Sequence, residues 1–138
     1  MDAAYVYGMT TTKQPTVEKV TIEWQNDDCP DLSWLDQFEN SQDLEEQKYY
    51  KQGQERKASY GEQWEMLGCT AKAVVSYDIG QGSRRLDTLT SGGLWGIESD
   101  SGRDYLSEVE SEQLAGLAGH LRHFGIETTT EALRDLIS

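Results

Sequence analysis

The segment from Arg84 to Leu106, RRLDTLTSGGLWGIESDSGRDYL, constrains the fold more than any other part of the chain. It carries, in order, a strand-like run, a double glycine, a tryptophan, a third glycine, a cluster of acids and the start of a helix. Residues on its N-terminal side read as a lead-in to one small sheet. Residues on its C-terminal side read as a covering helix and a tail.

Two earlier runs supply the rest of that sheet. In Val17–Gln25, Val20, Ile22 and Trp24 alternate with Lys19, Thr21 and Glu23, the period-two pattern of a half-buried strand. Asn26, Asp27, Asp28 and Pro30 end it with turn chemistry. In the second run Cys69, Ala71, Ala73 and Val75 alternate with Thr70, Lys72, Val74 and Ser76, and the small set is expected on the buried face. DIGQGS (78–83) then turns the chain, with glycines suited to positive φ, and Arg84–Thr90 returns, so residues 67–90 predict a hairpin. Tyr5 and Tyr7 are consistent with a short strand in an otherwise flexible or edge segment, 1–16.

Helical signals come next. Asp31–Leu35 reads as a short helical turn or packed loop anchored by Leu32 and Leu35, with Trp34 at the core or its rim. Ser41–Lys57 is charged and poor in apolar residues, an exposed helix or loop starting near Ser41. Ser101–Phe124 is the strongest helix. Ser101 is its expected cap, and Leu106, Val109, Gln113, Leu114, Leu117, Leu121 and Phe124 form its stripe. Acids crowd its first half, Arg122 and His123 lie near its end, and Gly125 suits a left-handed terminator. Thr128–Ile137 restarts as a short helix with Ala132, Leu133, Leu136 and Ile137 expected buried. The predicted class is α+β: a small antiparallel sheet of three to five strands packed against one long C-terminal helix. Trp95 is expected to be buried at the corner between the last strand and that helix.

A chain of 138 residues implies one domain, and four Trp and seven Tyr argue against wholesale disorder. The net charge of −13 is unevenly spread. Residues 1–47 carry 2 basic and 11 acidic side chains, residues 48–85 carry 7 and 4, and residues 86–138 carry 3 and 10. Such a chain repels phosphate, which disfavours direct nucleic-acid binding, and it is drawn to basic surfaces. No secretory signal and no apolar run of spanning length is recognised, so a reducing cytoplasm with Cys29 and Cys69 as free thiols is expected.

Specific chemistry is hard to find. The glycines at 92, 93 and 96 precede Glu98 and Asp100, which would repel a phosphate. Glu98, Asp100 and Asp104 are the best cluster for a divalent cation, but their spacing does not fit an EF-hand, where Val109 would stand in place of the closing Glu. His120 and His123 share a helix side without two further ligands at suitable spacing, so they read as solvated helix-end residues. No nucleophile–base set is visible. The expectation is therefore a protein that is not an enzyme and holds no cofactor and no metal.

Four stretches, DLSWL (31–35), GCTAKAVV (68–75), TSGGLWGIESDS (90–101) and YLSEVESEQL (105–114), resemble a family of uncharacterised small acidic proteins of bacteriophages and bacterial mobile elements. The resemblance covers the chain from about residue 17 onward. It implies a genomic context in which small acidic proteins often inhibit host defences, as anti-CRISPR proteins and DNA mimics do, and it assigns no catalytic or binding residue. The functional expectation joins that context to the charge. It is an inhibitor of a host nucleic-acid-handling complex whose acids occupy a basic groove in the host cytoplasm. One set of candidate partner-binding residues is Asp27, Asp28, Asp31, Asp36, Glu39, Asp43, Glu45 and Glu46. The other is Glu98, Asp100, Asp104, Glu108 and Glu112. The alternatives are a small metal-dependent enzyme using Glu98, Asp100 and Asp104, and a phage accessory protein without inhibitory role.

Overall fold

The computed structural model describes residues 15–137. The expected strand at Tyr5 and Tyr7 lies outside the described residues. Within them the chain is α+β, with four antiparallel strands: β1 (Thr16–Asn26), β2 (Met66–Gly80), β3 (Ser83–Thr90) and β4 (Leu94–Glu98). β2 is the centre of the sheet. β1 pairs along one side of it, while β3 and β4 lie one after the other along the other side. The predicted hairpin forms, and its turn holds Gly80, Gln81 and Gly82 all at positive φ.

The period-two reading of β2 holds. Cys69, Ala71, Ala73 and Val75 are all fully buried, paired with Trp24, Ile22, Val20 and Val17 of β1. Over them lies α2 (Arg103–His123), which contributes Val109, Leu114, Leu117, Ala118 and Leu121 to the core. Small residues on the sheet let the helix leucines sit close to its backbone, so the interior is filled without large side chains from β2. The opposite sheet face has no helix over it among the described residues, and on it Lys72 bridges to Glu23 at 2.7 Å.

Both ends of α2 are informative. It begins one residue after Gly102, and no side chain caps it. Ser101, the expected cap, instead donates its hydroxyl to the Glu98 carbonyl (2.7 Å), closing the turn that leaves β4. At the other end Gly125 takes φ 84° and donates to the Arg122 carbonyl, while Ile126 donates to Leu121. This is a Schellman termination, and its companion apolar contact is made by Ile126 and Leu121, both buried. The reversal sends Ile126 into the core, and Phe124, expected in the stripe, is left exposed. The helix expected over 128–137 is shorter, α3 (Thr130–Arg134), capped by the Thr129 hydroxyl. Only its Leu133 is buried; Ala132 is exposed, and Leu136 and Ile137 lie beyond the helix end and are exposed too. Ile137 instead makes a lone parallel bridge to Val20 at the edge of β1.

The SGG step between β3 and β4 is a change of strand along one edge. Ser91 donates its N–H to the Ala71 carbonyl (2.8 Å), and its hydroxyl accepts from the Ala71 N–H (2.9 Å). Gln113 of α2 then accepts from the Ser91 hydroxyl (2.5 Å) and from the Gly93 N–H (3.0 Å). A polar residue within the apolar stripe of α2 thus satisfies backbone and side-chain donors where the ladder breaks.

Trp95 is not the buried corner residue expected; 47% of it is exposed. Leu67 pairs with Ile97 and Cys69 with Leu94, so β4 carries one residue more than β2 across this interval. The bulge, with Gly96 at φ 77°, turns Trp95 to the open face while Ile97 enters the core. There the indole covers Gly68, where an added Cβ would lie 2.0 Å from the ring.

Urea unfolding should register both kinds of packing. Leu117→Ala should cost about 2–5 kcal/mol, the range for a buried leucine, and Trp95→Ala should cost less. Gly68→Ala should destabilise by displacing the indole. Combined with Trp95→Ala, it should cost less than the two single changes added together.

Candidate partner-binding surface

The acids proposed from sequence fall into three structural groups. The first serves local turns and caps. Asp27 accepts from the Cys29 N–H (3.0 Å). Asp31 accepts from both the N–H and hydroxyl of Ser33, which together hold its carboxyl below its ordinary range. Asp43 caps α1 (Leu44–Ala58) by accepting from the N–H groups of Glu45 and Glu46. Ser41, near the predicted start, accepts from the Asp43 N–H and donates to Glu46 (2.6 Å).

The second group is already neutralised within the fold. α1 buries no side chain and docks through polar contacts. Gly53 packs against the Leu35 carbonyl of the short 3₁₀ turn Ser33–Asp36, where an added Cβ would lie 2.4 Å from the oxygen. Asp36 accepts from Gln54 (2.7 Å) and pairs with Lys57 (3.0 Å), and these two partners depress its pKa in that order. Arg56 is the hub. Its guanidinium grips Asp100 (2.6 and 2.8 Å) and Glu98, and it lies 3.8 Å above the centre of the Trp64 ring. Trp64 in turn donates its indole N–H to the Arg56 carbonyl (2.8 Å) and meets Tyr60 edge to face. Hydrogen bonding from Arg56 lowers the Asp100 pKa, and the carboxylates raise that of Arg56. Glu98 and Asp100 therefore do not project as a free pair; a guanidinium occupies the place a cation would take.

The third group faces solvent without an ion pair among the described residues. It comprises Asp28, Glu39 and Glu45, together with Asp104, Glu108 and Glu112 on α2. The last three recur every four residues, so they line one side of the helix at a rise of about 6 Å per step. They lie opposite the leucines that meet the sheet. Asp27 and Asp28 border an open cleft that Trp95 also lines, so an aromatic face adjoins these two acids.

Sequence reasoning missed two residues. Arg56 gave no signal, because a lone arginine in a charged helix shows no partner until the chain folds. Glu110 turns inward to accept from the Trp24 indole at 2.6 Å. It also adds to burial in pushing the Cys69 thiol up to about 11. Cys29 is exposed and Cys69 buried, both as free thiols. His120 donates toward the Thr90 carbonyl (3.0 Å), and His123 stacks edge-on to Phe124. Among the described residues no three His, Cys, Asp or Glu side chains gather as a metal site, and no helix is long and apolar enough to cross a membrane. Comparisons with family models, curated proteins and solved structures return no match.

Arg56→Ala should cost about 1–2 kcal/mol, from partly exposed ion pairs and one cation–π contact, and should free α1 first. Hydrogen exchange of 44–58 would show it. The folded-state pKa values of Asp36 and Asp100 are depressed, so their contribution is present above the ordinary carboxylate pKa of about 4. It is lost as pH falls through the lower folded values. Protection of α1 should therefore decline at acid pH before the core unfolds. Thiol alkylation of the native protein should modify Cys29 alone, and Cys69 only after denaturation.

Proposed function

We propose that the protein is an acidic binding protein that occupies a basic, nucleic-acid-binding surface on a host complex and so inhibits it. The reading rests on one observation above the others. Asp104, Glu108 and Glu112 form a regular row on the solvent side of α2, exposed and outside any ion pair among the described residues. Acids with no internal cation beside them leave their charge uncompensated within the fold, whereas Asp36, Glu98 and Asp100 are already paired. The net charge of −13 supports the same reading, because it steers the protein toward a positive surface. The resemblance to small phage and mobile-element proteins supplies the context, a bacterial cytoplasm and a defence complex as the target. The metal-enzyme alternative is less well supported, because Arg56 holds two of its three proposed ligands.

The test begins with affinity capture from a bacterial host. The captured partner is then titrated with nucleic acid at several salt concentrations. Binding should weaken as salt rises, and nucleic acid should compete. Asp104→Asn, Glu108→Gln and Glu112→Gln together should slow association by roughly tenfold at low salt, with a smaller effect on release. A ternary complex of undiminished affinity would overturn charge mimicry.

A further inference from the structure

The outer edge of β3 is the feature that the proposed function leaves unused. Its backbone orientation can be read from two contacts. Ser91 donates its N–H to Ala71 of β2, and the β2–β3 pairing runs from Arg84 to Thr90 without a shift on β3. Odd-numbered residues of β3 therefore turn their N–H and C=O toward β2, and even-numbered ones turn theirs away. The Thr90 carbonyl confirms the parity, because it points outward to His120. Arg84, Leu86 and Thr88 thus present open backbone groups along the edge, and among the described residues no strand pairs with them. Leu86 is 63% exposed at the middle of this edge.

We infer that β3 is a homodimer interface, in which a second copy of the chain adds its own β3 antiparallel about a twofold axis at Leu86. The side chains select both the occupant and the register. Centred on Leu86, the twofold places Leu86 against its own copy and Arg84 opposite Thr88. It also places Arg85 opposite Asp87, once on each side of the axis. Arg85 and Asp87 already lie 3.2 Å apart within one chain, on the helix side of the sheet. Across the interface they form non-hydrogen-bonded pairs, the closer kind of cross-strand neighbour.

Other twofold registers lose this match. An axis on Arg84, Arg85 or Asp87 sets identical charges against each other, and an axis on Thr88 leaves Arg85 and Asp87 facing uncharged residues. The Leu86 register adds about six main-chain hydrogen bonds, two at each of three pairs. It also joins the molecules at the end of the segment 48–85, whose net charge is positive in an otherwise acidic chain. The contact is isologous and closes at two copies, because the far edge of the sheet is β1 rather than a second β3.

The test is sedimentation velocity on the full chain over a concentration series, with circular dichroism confirming that each variant is folded. The wild type should form dimers as concentration rises. Arg85→Asp places Asp opposite Asp87, and Asp87→Arg places Arg opposite Arg85, so each variant alone should dimerise at least tenfold more weakly. Mixing the two variants restores opposite charges at both cross-strand pairs, so the mixture should form a heterodimer. Leu86→Lys, which sets two ammonium groups on the axis, should be monomeric and folded. A wild type that stays monomeric at all concentrations overturns the inference. So does a pair of charge variants that fails to recombine, or an Arg85→Asp variant that dimerises with unchanged affinity.

Discussion

The structure depends on the contact between β2 and α2. Among the described residues every other strand hydrogen-bonds to β2, so this sheet does not hold together without it. Its inward residues, Cys69, Ala71, Ala73 and Val75, have no bulk to fill a core by themselves. The leucines at 114, 117 and 121 supply the volume, and they reach the sheet only because the alanines leave room. Each side of the interface is incomplete alone. That mutual requirement also places the flanking features. The Schellman turn at Gly125 returns Ile126 to the same core, and Gln113 pins the break between β3 and β4 to the helix above it.

A second layer is attached differently. α1 has no buried side chain and is held by Arg56, Lys57, Gln54 and the close approach of Gly53 to the Leu35 carbonyl. Arg56 links this layer to the last residue of β4, Glu98, and to Asp100 in the turn after it, and stacks on Trp64. Partly exposed polar contacts each contribute little, so α1 has much less holding it than α2 does. The same contacts sort the acids. Those gripped by Arg56 and Lys57 serve the fold, while Asp104, Glu108 and Glu112 on the outer side of α2 make no ion pair among the described residues. In a chain of net charge −13, the distribution of internal cations therefore decides where the negative surface lies.

Much of this was legible in the chain itself, wherever one local rule governed the outcome. The alternation in Val17–Gln25 and in Cys69–Val75 set both strands and the buried face, because a strand shows its two faces at every second residue. The leucine spacing set the long helix, and Gly125 set its end. The charge imbalance was equally plain. Tertiary structure alone decided the rest. One extra residue in β4 turned Trp95 out onto Gly68, since a bulge reverses the face a strand pattern would assign. Ser101 lost its capping role to the turn that closes β4. Arg56 found Glu98 and Asp100 more than forty positions away, a meeting no local pattern encodes. Periodicity records which way a side chain points along its own element; which acids are neutralised, and which edge is left open, depends on elements that meet only when the chain has folded.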